Sequence, residues 1–218
     1  MKPIIMAVLI IAAFGFFSYN IYNLIKLLRL GKYETRFDNI KERIRLVLVY
    51  VFGQKRLVKK YTFAGIEHFM IFWGFVIITI GTIEMLIGGV IPGFRLIPGK
   101  AHTAYEFILD IVQLLVLVAI VMGIINRTTI ARRREVNGLD AVVILGLIFG
   151  LMVTALAAMG AKVAMGAADP AWLPVSSTIA KVFFSGMSEN GVAFSHEFFW
   201  WFHILIVLGF LNYLPYSK

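Results

Sequence analysis

The stretch SHEFFWWFHILIVLGFLNYLPYSK, Ser195 to Lys218, sets His196 and His203 seven residues apart in an otherwise apolar run. Seven residues is close to two helical turns, so both imidazoles leave one face, roughly 10 Å apart along the axis. A second run, GIEHFMIFWGFVIITIGTIEML, carries Glu67 and His68 near one end and Glu84 near the other. A third, HTAYEFILDIVQ, spaces His102, Glu106 and Asp110 as i, i+4, i+8, one polar stripe along a helix. Ionisable groups inside hydrocarbon are costly, so each marks a candidate site. Neutral imidazole is a common axial ligand for haem iron, and helix bundles build such sites from facing side chains. His68 and His203, each within an otherwise apolar helix, are the candidate iron ligands. The chain has no cysteine, so it offers no thiolate for zinc or an iron–sulfur cluster and no disulfide.

The elements that must position these groups follow from composition. Of 218 residues 60% are hydrophobic and 15% charged, with a mean hydropathy of +0.86. A soluble domain has roughly 45–50% apolar and 25% charged residues, so this is an all-α membrane protein. Apolar runs near 4–25, 63–87, 104–126, 140–162 and 197–215 are each long enough to cross a core of ~30 Å, which predicts a five-helix transmembrane bundle. The first run is too long for a signal peptide and lacks a small-residue cleavage site, so it reads as a retained anchor.

Fifteen of the 21 basic residues lie between spans one and two (Lys26 to Lys60) or three and four (Arg127, Arg132, Arg133, Arg134). The positive-inside rule then predicts an outside N-terminus, a cytoplasmic loop over 26–62 and a cytoplasmic C-terminus, with Lys2 a weak contrary vote. The net charge of +9 is therefore a topology signal, and no nucleic-acid partner is expected. Within the basic loop, Ile44, Val47, Leu48 and Val51 share one helical face, which predicts a segment lying on lipid headgroups, or a docking surface for a soluble partner. The connection over about 163–195 reads as a short interfacial lid.

His68 sits in the inner half and His203 in the outer half, so their depths differ by roughly 10 Å or more and they serve different irons. Two haems stacked across the bilayer would give electrons a path, and Gly74 and Gly209, each six residues beyond a histidine, can admit a flat macrocycle. The plainer alternatives are histidines that only hydrogen-bond a neighbouring helix, and, for His102 and His196 at the boundary, simple solvation. Glu106 and Asp110 are vestibule groups or exchange protons with a quinone beside an outer haem. Gly146 to Gly150 form a close-packing motif, while Trp172, Trp200 and Trp201 are interfacial anchors.

The closing FHILIVLGFLNYLPYSK resembles the last membrane helix of the gamma subunit of respiratory nitrate reductase and its relatives. It is closer still to the membrane domain fused to heterodisulfide-reductase-type iron–sulfur modules, including proteins that link electron-transfer flavoprotein to menaquinone. The resemblance covers the whole chain: five spans, a histidine early in span two and a final Pro-aromatic-Ser-basic signature, PYSK. It implies two b haems between spans two and five, with His68 an inner-haem ligand and His203 an outer-haem ligand. Ten residues beyond His68, where the nitrate reductase subunit has a second ligand, stands Ile78. The outer haem then needs another partner, His102 first and His196 second, since His196 shares a helix with His203. The family's span-five inner-haem ligand follows the PYSK position, so the resemblance implies a chain cut before that histidine and before a cytoplasmic iron–sulfur domain. Lys100 lies near where the family has a lysine linked to its quinol site.

The function expected is that of a cytochrome b-type electron-transport domain of the prokaryotic cytoplasmic membrane, a component of a quinone-linked oxidoreductase in a respiratory chain. Electrons would pass between (mena)quinone, near Lys100, His102, Glu106 and Asp110, and a cytoplasmic iron–sulfur domain or electron-transfer flavoprotein. The competing class is a cofactor-free anchor or assembly subunit, or a small transporter, although a transporter predicts broken helices around a midplane site.

Overall fold

The computed structural model describes residues 1–32, 34, 37–60, 62–129 and 138–217. Arg36, Arg132, Arg133, Arg134 and Lys218, all used above, lie outside the described residues. Among those described there is no strand, and five helices are long and apolar enough to cross a membrane, as a multi-pass membrane protein requires.

The spans are α1 (Lys2–Leu28), α4 (Thr62–Val90), α5 (Lys100–Thr129), α6 (Leu139–Ala164) and α8 (Glu189–Tyr213). All five expected spans are present, most of them longer than the apolar stretch, because a helix continues past that stretch until a breaker or cap stops it. Pro3 opens α1, where a missing N–H costs nothing, and Ser188 caps α8 by accepting from the Gly191 N–H at 3.3 Å. That cap starts the last helix seven residues before His196, so this histidine sits inside a continuous helix.

Neighbour relations close the spans into a ring: α1 packs on α4, α4 on α5, α5 on α6, α6 on α8, and α8 returns to α1. Met6, Ile204 and Leu208 bury the α1–α4–α8 seam, while Val116, Ile120 and Met152 bury the α4–α5–α6 seam. With lipid tails outside, such seams hold by close packing rather than by water exclusion. Gly74 shows this: a Cβ there would collide with the Val116 side chain, so the glycine lets α4 meet α5. The expectation that Gly74 admits a macrocycle is corrected, because a valine already fills that space. Gly209 is exposed with nothing near it, and of Gly146 and Gly150 only the latter meets a partner, Ile206.

The basic loop forms α2 (Ile40–Leu46) running into a wide π turn (Val47–Phe52), then α3 (Lys55–Lys60). Ile44, Val47, Leu48 and Val51 are all exposed. Two of its arginines are paired inside the loop, Arg43 with Asp38 at 2.5 Å and Arg45 with Glu42 at 2.7 Å. Those hydrogen bonds hold both carboxyls below their usual range.

The expected lid is a turn over Pro170–Trp172 and a short helix, α7 (Pro174–Ile179), prolonged by Ala180–Phe184, packed on α5 and α6. Gly160 of α6 admits it: a Cβ there would lie 2.7 Å from Ile179 Cγ2.

Candidate functional site

At the end of the bundle where α1 begins and α4 turns into α5, the ring surrounds an open-mouthed cavity of about 800 Å³. All five spans contribute, because a ring whose main contacts run between neighbours leaves its axis open. Ile78, Leu109, Ala155 and Met159 supply apolar wall; Glu84, His102, Glu106, Lys162, His196 and His203 supply polar groups. An apolar enclosure of roughly 300–1,000 Å³ with a few convergent polar groups is the usual form of a cofactor or ligand site.

His203 is 6% exposed. Its Nδ1 lies 3.1 Å from the Leu151 carbonyl and 2.9 Å from Thr154 Oγ1, both on α6. A carbonyl only accepts, so the neutral ring carries its hydrogen on Nδ1, and Thr154 directs its own hydroxyl to the Gly150 carbonyl at 2.7 Å. The lone pair is thereby placed on Nε2. A histidine oriented through one nitrogen by a backbone carbonyl, with the other nitrogen free, has the arrangement of a metal ligand.

His102 approaches from α5, which is not a ring neighbour of α8, so the two imidazoles enter the cavity from different walls. It is 7% exposed and stands between two carboxylates: Glu84 Oε1 lies 3.4 Å from Nδ1 and Glu106 Oε1 lies 3.3 Å from Nε2. Despite that proximity Nδ1 makes no aligned hydrogen bond and is fully buried. Lys162 Nζ comes within 3.9 Å of the same Glu106 oxygen, and the Leu96 N–H donates to Glu84 Oε2 at 3.0 Å. His196 also lines the cavity, about two turns nearer the mouth than His203. At the mouth Lys2 reaches both Glu197 oxygens at 2.7 Å and lies 4.1 Å from the Trp200 ring centroid.

Two residues expected at this site, Asp110 and Lys100, stand elsewhere, and His68 stands apart from it. Asp110, 2% exposed, does not line the cavity. It accepts from the Val175 N–H at 2.7 Å, the Ser176 N–H at 3.1 Å and the Ser176 hydroxyl at 2.6 Å, and so anchors the start of α7. Lys100 is exposed at the first turn of α5 and likewise does not line the cavity. His68 lies on α4 roughly 24 Å along the helix from Glu84, at the opposite end of the bundle. There its Nδ1 is 3.1 Å from Gln54 Oε1, which repeats the orientation seen at His203 with a side-chain acceptor. Beside it, Asn126 donates to the buried Glu67 carboxylate.

Glu84 and Lys162 were visible in the sequence as end-of-span charges, but nothing there joined them to His102. Gln54 gave less signal: it is 2% exposed and holds a left-handed backbone, φ 45°, in a loop. A non-glycine residue in that region is worth a functional question.

The chain is 34% identical over 213 residues to a probable iron–sulfur-binding oxidoreductase, FadF, of Bacillus subtilis, an alignment covering 96% of this chain and 30% of that protein. It is 26% identical over 200 residues to an EtfAB:quinone oxidoreductase of Syntrophomonas wolfei, covering 84% of this chain and 27% of that one. The chain thus spans less than a third of the length of either relative. No family model matches it, and no solved structure does. What these matches establish is a chain related to oxidoreductases over nearly its whole length.

Proposed function

We propose that this chain is the membrane electron-transfer domain of a quinone-linked oxidoreductase, a cytochrome b-type bundle resembling the nitrate reductase gamma subunit. It exchanges electrons between a quinone pool and a cytoplasmic iron–sulfur or flavoprotein partner. The observation that carries the reading is His203, with Nδ1 held by the Leu151 carbonyl inside a cofactor-sized cavity. The names of the two relatives, one iron–sulfur-binding and one EtfAB:quinone-linked, support the class of partner. In this reading the basic loop faces the cytoplasm and the cavity end faces outward.

Haem b, when bound, supplies reversible one-electron transfer. The residues present fit it: His203 offers Nε2 from α8, and the poorly satisfied His102 is the second imidazole available from another wall. Ile78, at the position where the resemblance places a ligand, lines the same cavity with an aliphatic side chain, so His102 takes that role. His68, oriented by Gln54, serves a second haem at the cytoplasmic end. Glu106 and Lys162 form the polar wall from which a quinone ring exchanges protons, replacing the expected Lys100 and Asp110.

The test is a reduced-minus-oxidised spectrum of the intact protein, alone and with His203→Ala. Absence of b-type absorbance in the unmodified protein would favour the cofactor-free anchor. Absorbance that His203→Ala leaves unchanged would remove His203 as a ligand.

A further inference from the structure

The two carboxylates that flank His102 are not equivalent. Glu106 faces Nε2 and has Lys162 within 3.9 Å, so it has a cation toward which it can turn when Nε2 is taken. Glu84 faces Nδ1, an atom wholly buried and without an aligned partner. Its other oxygen accepts from the Leu96 backbone N–H at 3.0 Å. One carboxylate is thus replaceable and the other anchored. His203 differs again, since its Nδ1 meets a neutral carbonyl.

From this asymmetry we propose that Glu84 is the positioning carboxylate of His102. It takes the Nδ1 hydrogen, turns Nε2 into the cavity and makes that imidazole a stronger donor to iron than His203. The inference rests on the haem reading above. Carboxylate–histidine–metal pairs raise ligand basicity, and a fixed negative charge near a haem favours its oxidised form. Glu84 therefore lowers the potential of the haem in this cavity, and the Leu96 link makes the outer α4–α5 connection part of that control.

The experiment is spectroscopically monitored redox titration of the intact membrane protein, unmodified and as Glu84→Gln, Glu84→Asp and Glu106→Gln. The expected result is a higher midpoint potential for one haem in Glu84→Gln, partial return toward the original value in Glu84→Asp, and a smaller shift in Glu106→Gln. Loss of that haem from Glu84→Gln but not from Glu84→Asp also supports the assignment. Haem retained in Glu84→Gln with an unmoved potential, or loss from both Glu84 variants, overturns it while leaving the haem reading in place. No b-type absorbance in the unmodified protein overturns both.

Discussion

The Ser176 hydroxyl donates to Asp110 Oδ1 at 2.6 Å, joining the middle of α5 to the first turn of the lid helix. With two backbone N–H groups on the same carboxylate, Asp110 carries the lid rather than the chemistry of the cavity. Hydrogen bonds to a charged group contribute about 1.5–3 kcal/mol each, less than additively. Asp110→Ala is therefore expected to cost about 3 kcal/mol or more, and Asp110→Asn less. Thermal unfolding in detergent measures it, and a b-type spectrum that persists in folded Asp110→Asn separates lid from site.

Gly160 reports on the same lid from the α6 side. A Cβ at 2.7 Å from Ile179 forces the lid outward, and overpacking of this kind costs about 1–3 kcal/mol. Gly160→Ala should lower thermal stability and increase protease cleavage within 170–184. Gly146→Ala, with open space around it, should neither lower stability nor increase that cleavage.

Thr154 shares the Nδ1 hydrogen of His203 with the Leu151 carbonyl, which stays when the hydroxyl goes. Thr154→Val is expected to keep haem absorbance and lose about 1 kcal/mol of stability. His203→Ala is expected to lose the haem itself. Equal haem loss in both variants would contradict the division of labour between ligand and support.

The Lys2–Glu197 pair is short, but the two side chains are 40% and 49% exposed. Exposed pairs contribute about 0–1 kcal/mol, so Lys2→Gln should change the unfolding temperature little, and still less in salt, which already screens the pair in the unmodified protein. A large loss on this substitution would mean that the contact with Trp200 matters more than the charge pair.

Topology can be read chemically because the chain has no cysteine of its own. Lys41→Cys in α2 and Lys181→Cys in the lid are both at exposed positions. A membrane-impermeant maleimide added to intact cells should label Lys181→Cys and leave Lys41→Cys untouched until the membrane is opened. The reverse pattern would invert the assignment of the basic loop.

The five spans were legible because a run of about 20 apolar residues needs no partner to be recognised, and the common face of His196 and His203 follows from helix geometry alone. The stripe from His102 to Asp110 was legible only in part. Each step of four residues advances about 40°, so Asp110 is turned about 80° from His102, enough to face α7 and not the cavity. Periodicity tells which residues lie near one another on a helix, but not which neighbour each one meets.

The lone imidazoles in apolar helices, the absence of thiolates and the basic loops are properties of the chain read residue by residue, since hydropathy and charge act locally. The cavity and its membership come from ring closure. Packing α8 back onto α1 encloses His203, His102, Glu84 and Lys162 together, although they lie on four different helices. The same packing leaves His68 at the far end with Gln54 and gives Asp110 to the lid. Such meetings depend on which helix faces meet, and only the assembled bundle contains that relation.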